Sequence, residues 1–565
     1  MGCPWSSSYE SDFWEKAAQD QSPYPVIQDQ FSWNVPEYYN IGCDVSDKRA
    51  AHRGQVAIIY DKGNGGHEKW TFWDLATVSD RFANVLRGLG LQRGDRMAVF
   101  LSQCPELVVA HISGYKLGAI VVPLFVLFGP EALIYRLNDS NAKVLVTDKA
   151  HASVIMDNRN KLPDLEHVIL VDESVPGTSL LAGLLANSST QIQAVMTHHD
   201  DPAVIIYTSG TTGAAKGALH AHQVLLGHLP GVSLSHDLFP RPGDVIWTPA
   251  DWAWIGGMFD VLFPALHWGV PVLARRMEKF DPEEAYSMLE KWGIRNLFLP
   301  PTAIKMMRQV ENPRNRWSLD IRSMASGGEP LGQQTVEWAR ETLGININEF
   351  YGQTECNMVL ANSHTIFQPK PNSMGRAMPG HKVAIVDKSG KEVVNGCVGE
   401  IAVLRPDPVM FLKYWNRPEA TASKFTGDWL RTGDMGQQDE EGYFTFSGRE
   451  DDIISSAGYR IGPAEVEEVL VKHADVLMAA VVGAPDPVRG QVVKAFVQLV
   501  DSSKESAELM DELKQWVKIR LAAHEYPRIV EFVKDFPMTP SGKIQRSVLR
   551  QREEKTQAGG EPVNP

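Results

Sequence analysis

Residues 203–217 read AVIIYTSGTTGAAKG, a run of apolar residues that ends in a loop rich in glycine and hydroxyl groups. The apolar residues Ala203–Ile206 indicate a buried strand. Glycines allow the backbone to approach a ligand with its N–H groups turned inward, and the hydroxyls and the Lys216 ammonium add further donors. The stretch therefore predicts a strand followed by a phosphate-binding loop, with a nucleotide as its first candidate ligand.

The loop departs from the P-loop of kinases and ATPases. That pattern, G-x-x-x-x-G-K-[ST], needs glycine before its lysine and a hydroxyl residue after it. Here Ala215 precedes Lys216, and Gly217 follows. The ordinary P-loop fails at both positions, and from this segment alone a flexible Ser/Thr/Gly surface linker remains the alternative.

Helical and strand-like segments alternate on both sides of this loop. The apolar spacing predicts a helix over 74–90, a strand over 97–101, a helix from Pro105, a strand over 119–122, a helix over 131–138 and strands over 143–146, 270–273 and 296–299. Such alternation predicts parallel sheets covered on both faces. Ligands bind these sheets at the carboxyl ends of their strands, where residues 207–217 lie.

The pattern changes near residue 380. Short strands over 382–386, 399–404, 429–430 and 443–446 predict a small β subdomain, and the charged segment 448–452 follows. A helix over 463–473, strands over 476–482 and 493–500, and an amphipathic helix over 506–522 predict a compact α+β tail. We expect an N-terminal domain of 1–450 built from parallel-sheet α/β subdomains plus the β subdomain, a mobile C-terminal domain of 451–555, and a disordered tail of 556–565.

Composition excludes several classes of protein. The 565 residues are 43% hydrophobic and 22% charged, which predicts a globular chain of several packed units. A net charge of −14 disfavours nucleic acid or an acidic membrane as the main partner. The five cysteines show no C-x-x-C spacing, and no apolar run reaches the roughly 18 residues of a membrane span. A cytoplasmic location is expected; the oligomeric state is open, a homo-oligomer included.

Four further motifs are weak when each is taken alone. The glycines of 326–330 (SGGEP) suit a flat ring lying against backbone, and 351–355 (YGQTE) combines an aromatic face, a hydroxyl and a carboxylate that suit adenine and a metal-bound phosphate. Asp434 in 432–434 (TGD) suits a ribose diol, although such an Asp more often caps a turn. Lys543 in 540–543 (PSGK) resembles any surface lysine.

The order of these motifs resembles the acyl-adenylate-forming (ANL) superfamily, which includes acyl-CoA synthetases, nonribosomal peptide adenylation domains and firefly luciferase. The matching segments are 207–217, 326–330, 351–355, 432–434, 448–460 and 540–546, so the resemblance covers almost the whole chain. Segments 452–463, 526–528 and 542–546 are most similar to short- and medium-chain acyl-CoA synthetases. One departure is Ala215, because many relatives have a proline there that stiffens the loop.

The resemblance implies a ligase with ATP, Mg²⁺ and CoA as cofactors. A carboxylic acid attacks ATP to give an acyl-AMP and pyrophosphate, and CoA then takes the acyl group. By resemblance, Lys543, Glu355 and Thr211 are catalytic, and Thr211 and Glu355 lie next to Mg²⁺. The implied ATP-binding residues are Thr208, Ser209, Gly210, Thr211, Thr212, Gly213, Lys216, Gly328, Glu329, Pro330, Tyr351, Gly352, Gln353, Thr354, Asp434, Arg449, Arg460 and Lys543.

The resemblance also implies a moving tail and an acyl pocket. The C-terminal domain is expected to turn about Asp451, so that Lys543 leaves and CoA enters. The implied CoA-binding residues are Ala457, Gly458, Tyr459, Arg489 and Lys518, with surface charge as the alternative for Arg489 and Lys518. The implied acyl-pocket residues are Trp254, Gly257, Gly327 and Gly352, while Trp252 suits a core position equally well.

Gly352 bears on the substrate. Relatives restricted to acetate carry tryptophan at this position, so we expect propionate-sized to medium-chain, branched or aromatic acids here. A broad range is expected, because one methylene contributes only about 1–3 kcal/mol of discrimination. Three other functions stay open: an enzyme that loads a separate carrier protein, a luciferase-like oxygenase, and a catalytically silent nucleotide-binding protein.

Overall fold

The computed structural model describes residues 16–20, 22–208, 215–449, 452, 454–456, 459–486, 489–521, 525–539 and 543–557. The α-helices are α1 (Tyr24–Gln30), α2 (Ile41–Val45), α3 (Phe72–Gly88), α4 (Pro105–Lys116), α5 (Pro130–Ser140), α6 (Lys149–Met156), α7 (Leu181–Ala186), α8 (Val224–Ser235), α9 (Phe263–Trp268), α10 (Pro282–Trp292), α11 (Pro301–Met307), α12 (Pro313–Arg316), α13 (Gln333–Trp338), α14 (Pro418–Ser423), α15 (Pro463–Val471), α16 (Ala507–Arg520) and α17 (Arg546–Gln557). Shorter 3₁₀ and π-helical turns cover Asp47–Arg49, Arg159–Lys161, Gly256–Leu262, Ala339–Leu343 and Ser502–Lys504.

The strands are β1 (Val56–Asp61), β2 (His67–Thr71), β3 (Arg96–Phe100), β4 (Ile120–Pro123), β5 (Ala142–Thr147), β6 (His167–Leu170), β7 (Ser179–Leu180), β8 (Pro202–Thr208), β9 (Lys216–Ala221), β10 (Ile246–Trp247), β11 (Val272–Ala274), β12 (Asn296–Phe298), β13 (Ser323–Gly327), β14 (Ile347–Gln353), β15 (Cys356–Ala361), β16 (Arg376–Ala377), β17 (Val383–Val386), β18 (Gly399–Leu404), β19 (Lys413–Tyr414), β20 (Phe425–Thr426), β21 (Trp429–Gln438), β22 (Phe444–Arg449), β23 (Ile454–Ser456), β24 (Tyr459–Ile461), β25 (Val476–Asp486), β26 (Gly490–Leu499) and β27 (Ile529–Phe532).

Two large sheets form the body of the protein. One has the strand order β19-β9-β8-β4-β3-β5-β6-β7, and the other β16-β15-β14-β13-β12-β10-β11-β1-β2. Their central strands pair in parallel, which confirms the α/β prediction, and antiparallel pairs such as β8 with β9 and β14 with β15 lie toward the edges. Residues 203–206 of β8 are at most 1% exposed, as expected for a strand covered on both faces.

The small β subdomain also matches its prediction, with one strand longer than expected. The antiparallel order is β17-β18-β21-β20, and β22 pairs with β21. The sequence predicted a strand over 429–430, whereas β21 continues to Gln438. Polar residues from Arg431 onward interrupt the apolar pattern by which the sequence predicts a strand. The register of β21 and β22 places Asp434 opposite Arg449.

The C-terminal part is a separate α+β unit. Its sheet has the order β24-β23-β26-β25, with β27 paired to β26. Helices α15 and α16 cover one face through apolar residues such as Val466 and Leu513, and α17 covers the other through Leu549. No helix in the described ranges has the length and apolar character that would let it cross a bilayer.

The predicted domain limits stay predictions. Residues 450 and 451, where the boundary was expected, lie outside the described residues. Helix α17 continues to Gln557, and 558–565 of the predicted tail are likewise outside them.

Candidate active site

The two ends of the predicted phosphate loop lie side by side. Strands β8 and β9 pair Thr208 with Lys216, and the Thr208 hydroxyl donates to the Lys216 carbonyl oxygen at 3.3 Å. Ser209, Gly210, Thr211, Thr212 and Gly213 lie outside the described residues. The carboxyl end of β8 therefore leads into the loop as the sequence predicted, and an antiparallel strand rather than a helix follows it.

Lys216 and Glu355 both lie next to the side chain of Tyr414. The Tyr414 hydroxyl donates a hydrogen bond to Oε1 of Glu355, and Nζ of Lys216 lies 5.3 Å from the centroid of the Tyr414 ring. Burial, together with the nearby Glu355 carboxylate, raises the pKa of Tyr414 well above its usual range, so this hydroxyl remains a donor. Tyr414 is held in place by β19, which pairs with β9 directly after Lys216.

Glu355 suits a magnesium ion that arrives with its nucleotide. Glu355 is 7% exposed, and its carboxylate accepts a hydrogen bond from the Tyr414 hydroxyl. Among the described residues, no group of three or more His, Cys, Asp or Glu side chains could hold a metal ion. A lone carboxylate beside a phosphate loop fits Mg²⁺, because this ion often binds one or two carboxylates together with substrate phosphates.

The Asp434 carboxylate accepts hydrogen bonds from three neighbouring side chains. Its Oδ2 accepts from the Tyr351 hydroxyl at 2.6 Å and from Nε2 of Gln353 at 3.0 Å, and its Oδ1 accepts from Arg449 at 3.0 Å. Tyr351 and Gln353 come from β14, while Asp434 and Arg449 face each other across β21 and β22. The structure thus brings three separate sequence motifs together around one carboxylate that is 5% exposed.

Lys543 reaches the larger body from the C-terminal unit. A Cβ atom built on Gly328 would stand 3.7 Å from Nζ of Lys543, and Gly328 has a φ of +94°. Desolvation by the surrounding protein lowers the pKa of Lys543, and the positive charge of Arg449 lowers it further. The negative charges of Glu329 and Asp434 act in the opposite direction and raise this pKa. The lysine side chain still contacts solvent, so it faces an accessible space rather than a sealed core.

A short hairpin presents Lys543. The Thr539 amide donates to the Lys543 carbonyl oxygen at 2.7 Å, and the Lys543 amide donates to the Thr539 hydroxyl at 3.0 Å. Directly after the hairpin, Arg546 binds both carboxylate oxygens of Glu467 at 2.9 and 2.6 Å, which fixes the end of α17 against α15. Burial raises the pKa of Glu329, whose side chain is partly exposed beside this hairpin.

The segment expected to line the acyl pocket divides into core and site. Trp252 is fully buried and belongs to the main core, which is the alternative role that the sequence left open for it. Trp254 is partly exposed and packs against Phe125 and Phe128, with ring centroids 5.4 and 6.0 Å apart. An added Cβ at Gly257 would stand 2.4 Å from the Asp251 carbonyl oxygen. This close backbone approach is why glycine is required there.

The other two glycines that were predicted to line the acyl pocket are also tightly enclosed. A Cβ on Gly327 would stand 2.7 Å from the Phe350 ring, and one on Gly352 would stand 2.3 Å from the Met358 amide nitrogen. The hairpin of β14 and β15 bulges next to Gly352, and Met358 has a φ of +56°. Any side chain at position 352 would therefore require the neighbouring backbone to shift. The absence of a tryptophan ring does not by itself describe the space at this position.

Several predicted residues fall outside the description or away from this centre. Asp451, Ala457 and Gly458 lie outside the described residues, as do the side chains of Tyr459 and Arg460. Pro330 follows Glu329 at the surface, and Thr354 lies in the turn between β14 and β15.

The two basic residues predicted to bind CoA lie in the C-terminal unit. Lys518 lines a surface pocket of about 410 Å³ together with Lys514 and Arg528, and its ammonium lies 5.4 Å from the Tyr526 ring centroid. The Arg489 amide donates to Asp486 at 2.8 Å, at the start of β26. Lys518 is exposed, and Asp511, which pairs with Lys514, also lines this pocket, so CoA binding and solvated surface charge both stay open for Lys518.

Sequence reasoning missed Tyr414. It is the second residue of the two-residue strand β19, and no glycine-rich or charged motif marks its position in the sequence. The pairing of β19 with β9 brings it to Glu355, and that pairing leaves no local signal in the sequence.

Comparisons with known proteins agree with this geometry. Residues 46–415 match the family model described as "AMP-binding enzyme", and residues 465–543 match "AMP-binding enzyme C-terminal domain". Human "Acyl-coenzyme A synthetase ACSM4, mitochondrial" is 36% identical over 537 residues, covering 92% of this chain and 91% of that protein. "Acetyl-coenzyme A synthetase" of Bacillus subtilis (strain 168) is 35% identical over 529 residues, covering 92% of this chain and 91% of that protein.

Solved structures show the same architecture. The anthranilate CoA ligase AuaEII in complex with anthranoyl-AMP superimposes with a TM-score of 0.85 at 27% identity, covering 93% of this chain and 99% of that one. The Brucella canis Acyl-CoA Synthetase superimposes with a TM-score of 0.73 at 34% identity, covering 95% of this chain and 99% of that one.

Proposed function

The chain belongs to the AMP-binding enzyme family, and from this premise we propose that it is an ATP-dependent, AMP-forming acyl-CoA synthetase, an acid–thiol ligase. The observation that carries the proposal is the approach of Lys543 from the C-terminal unit to Gly328 and Glu329 on the larger body. The relatives named as acyl-CoA and acetyl-CoA synthetases, and the similar anthranilate CoA ligase structure, support the same reaction class.

In the first half-reaction a carboxylate oxygen attacks the α-phosphorus of ATP. The bond from the α-phosphorus to the bridging oxygen breaks, pyrophosphate leaves with the bonding electrons, and an acyl-AMP forms. Both reactants are anions, so the site must neutralise charge and hold them in line. We assign this work to Lys543 at the α-phosphate and to Lys216 at the outer phosphates, with Thr208–Gly213 forming the loop around them.

The nucleoside is assigned to the group around Asp434. A carboxylate accepts about four hydrogen bonds, and Tyr351, Gln353 and Arg449 already donate three. The carboxylate can therefore accept about one more hydrogen bond. Two ribose hydroxyls can both donate to it only if one of the three present donors leaves. We assign that change to Tyr351, whose freed ring then lies beside the adenine together with residues 328–330, while Arg449 keeps its hydrogen bond to Asp434. Gly352, Thr354 and Arg460 complete the proposed ATP contacts.

Mg²⁺ is assigned to Glu355, with Thr211 as its second protein neighbour. When bound, the ion neutralises phosphate charge and favours departure of pyrophosphate. The Tyr414 hydroxyl holds the Glu355 carboxylate in a fixed orientation, and the Lys216 ammonium lies over the ring of the same tyrosine.

In the second half-reaction the CoA thiolate attacks the acyl carbonyl carbon and AMP leaves. We propose that the C-terminal unit turns about Asp451 to withdraw Lys543 and admit CoA past Ala457, Gly458 and Tyr459. The cationic pocket around Lys518 supports a role in binding CoA phosphates, and Arg489 is assigned to the same ligand.

The proposed substrates are propionate-sized to medium-chain acids, branched and aromatic acids included, with Trp254, Gly257, Gly327 and Gly352 around the acyl group. Trp254 and its phenylalanine neighbours provide an apolar wall. A cytoplasmic location and a homo-oligomer stay predictions, and the human relative is named as mitochondrial.

A panel of carboxylic acids incubated with protein, ATP, Mg²⁺ and CoA tests this function. We expect AMP and an acyl-CoA in equal amounts, with the highest specificity constant for an acid larger than acetate. Acyl-AMP without thioester would favour transfer to a carrier protein instead. The absence of AMP with every acid would support a catalytically silent nucleotide-binding protein and contradict the proposal.

A further inference from the structure

The ends of the phosphate loop are both bonded to helix α5. At the β8 end, the Tyr207 hydroxyl donates to Oδ2 of Asp139 at 2.8 Å. At the β9 end, the Ala215 carbonyl oxygen accepts from the Tyr135 hydroxyl at 2.9 Å. Asp139 and Tyr135 are four residues apart on α5, so they lie on the same helix face.

A single arginine connects these two contacts. Nη2 of Arg417 donates to the Tyr135 hydroxyl at 3.0 Å and to Oδ1 of Asp139 at 2.9 Å. The result is a continuous circuit of hydrogen bonds that runs from Ala215 through Tyr135, Arg417 and Asp139 to Tyr207. Sequence reasoning singled out none of its side chains apart from Tyr207, which opens the loop motif.

We propose that Arg417 is a positioning residue for ATP, because through Tyr135 and Asp139 it holds both ends of the phosphate loop, which β8 and β9 pair with each other, against helix α5. The inference rests on the proposed function, since it assigns the effect to ATP binding. It also accounts for Ala215: the Tyr135 hydroxyl restrains the backbone at the position where many relatives have a stiffening proline.

The neighbouring contacts show that the circuit is separate from the local fold. The Trp415 amide donates to the Gly217 carbonyl oxygen at 2.7 Å, and the side chains of Trp415 and Asn416 donate to the Asp139 carbonyl oxygen at 3.0 and 3.1 Å. These bonds do not use the Arg417 guanidinium, which is 39% exposed. Removing the guanidinium should therefore disturb the circuit while β19 stays paired.

The test is the dissociation constant of MgATP for the full-length protein, measured by calorimetry without acid or CoA. We expect Arg417→Gln to weaken MgATP binding about tenfold, because the charged hydrogen bonds from Arg417 to Tyr135 and to Asp139 are lost. The KM for the acid and the melting temperature should stay close to those of the wild type. Arg417→Lys should restore part of the affinity through Asp139.

Tyr135→Phe is a second variant that removes only a hydroxyl and leaves the ring in place. It should weaken MgATP binding in the same direction, and the double variant should be no weaker than the more affected single variant, because both break one circuit. Arg405→Gln is the matched control: Arg405 also forms a surface ion pair, with Asp428 at 3.1 Å, and it donates to the Gly427 carbonyl oxygen rather than to Tyr135 or Asp139.

Wild-type MgATP affinity in both Arg417→Gln and Tyr135→Phe overturns the inference, as does a parallel loss of ATP affinity, acid affinity and melting temperature. These results would leave the proposed function standing if the wild-type protein forms acyl-CoA. A wild-type protein that binds no ATP contradicts the proposed function itself and this inference with it.

Discussion

The ammonium of Lys543 lies beside the backbone of Gly328, so that a Cβ atom on Gly328 would stand 3.7 Å from Nζ. Lys543 comes from the C-terminal unit and Gly328 from the loop after β13 of the larger body. The C-terminal unit therefore places this lysine against the larger body, which is the position that the proposed adenylation step requires.

Gly328→Ala tests this contact. An alanine at φ +94° costs about 1–2 kcal/mol of unfolding free energy and places a methyl group beside the ammonium. We expect acid-dependent ATP–pyrophosphate exchange to fall about tenfold or more, because small displacements of reacting groups have large effects on rate. Gly332→Ala is the control, since Gly332 has a φ of +83° but nothing within 4 Å of its built Cβ. Equal exchange rates in the two variants would contradict the assigned contact.

Tyr414→Phe tests the support of Glu355. The variant removes the hydroxyl that donates to the carboxylate and keeps the ring beneath Lys216. We expect a higher Mg²⁺ requirement and about tenfold weaker MgATP binding, from the loss of one hydrogen bond to a charged group. Tyr443→Phe, which loses a bond to the Gln368 carbonyl oxygen instead, should behave like the wild type. An unchanged Mg²⁺ requirement in Tyr414→Phe would show that Glu355 does not depend on this residue.

Gly352→Ala tests how closed the turn between β14 and β15 is. The methyl group would stand 2.3 Å from the Met358 amide nitrogen. We expect a loss of about 1–3 kcal/mol in unfolding free energy, typical of overpacking, and reduced turnover of every acid rather than a shift toward acetate. Gly183→Ala, with nothing within 4 Å, is the control. A stable variant that prefers acetate would restore the simpler explanation of substrate range.

Glu349→Gln tests a dependence of stability on pH. Burial, with a smaller contribution from Glu468, raises the pKa of Glu349 from 4.5 to about 8. Between these values the folded protein keeps a proton that the unfolded chain has released, so this group lowers the free energy of unfolding as pH rises.

The Glu349→Gln variant should therefore gain melting temperature relative to the wild type more at pH 8 than at pH 5. The exposed Glu341→Gln controls for the loss of one negative charge. The same difference from wild type at both pH values would refute the assignment.

The sequence predicted the alternation of helices and strands because core strands such as β8 have unbroken apolar runs. It could not show how far β21 extends, because the polar residues Arg431, Thr432 and Asp434 interrupt the apolar pattern of this strand. Lys216 could be proposed as a site residue from its glycine-rich motif, whereas Lys543 could be proposed only because the order of the motifs resembles the ANL superfamily.

Tyr414 and Arg417 were not found from the sequence. They act through partners far away in the chain, Glu355 and Asp139, which the pairing of β19 with β9 and the packing of α5 bring near. The tight surroundings of Gly352 are also a tertiary effect, set by the bulge of β14 and the positive φ of Met358.

The most direct measurement compares the two half-reactions in Lys543→Ala. The central claim is that the tail supplies a cation to form the acyl-AMP and is then withdrawn before the thiol attacks. Acid-dependent ATP–pyrophosphate exchange should fall by about 100-fold or more, a size typical of losing a group that stabilises transition-state charge, while thioester formation from supplied acyl-AMP and CoA should stay near the wild-type rate. Equal losses in both half-reactions would contradict the claim.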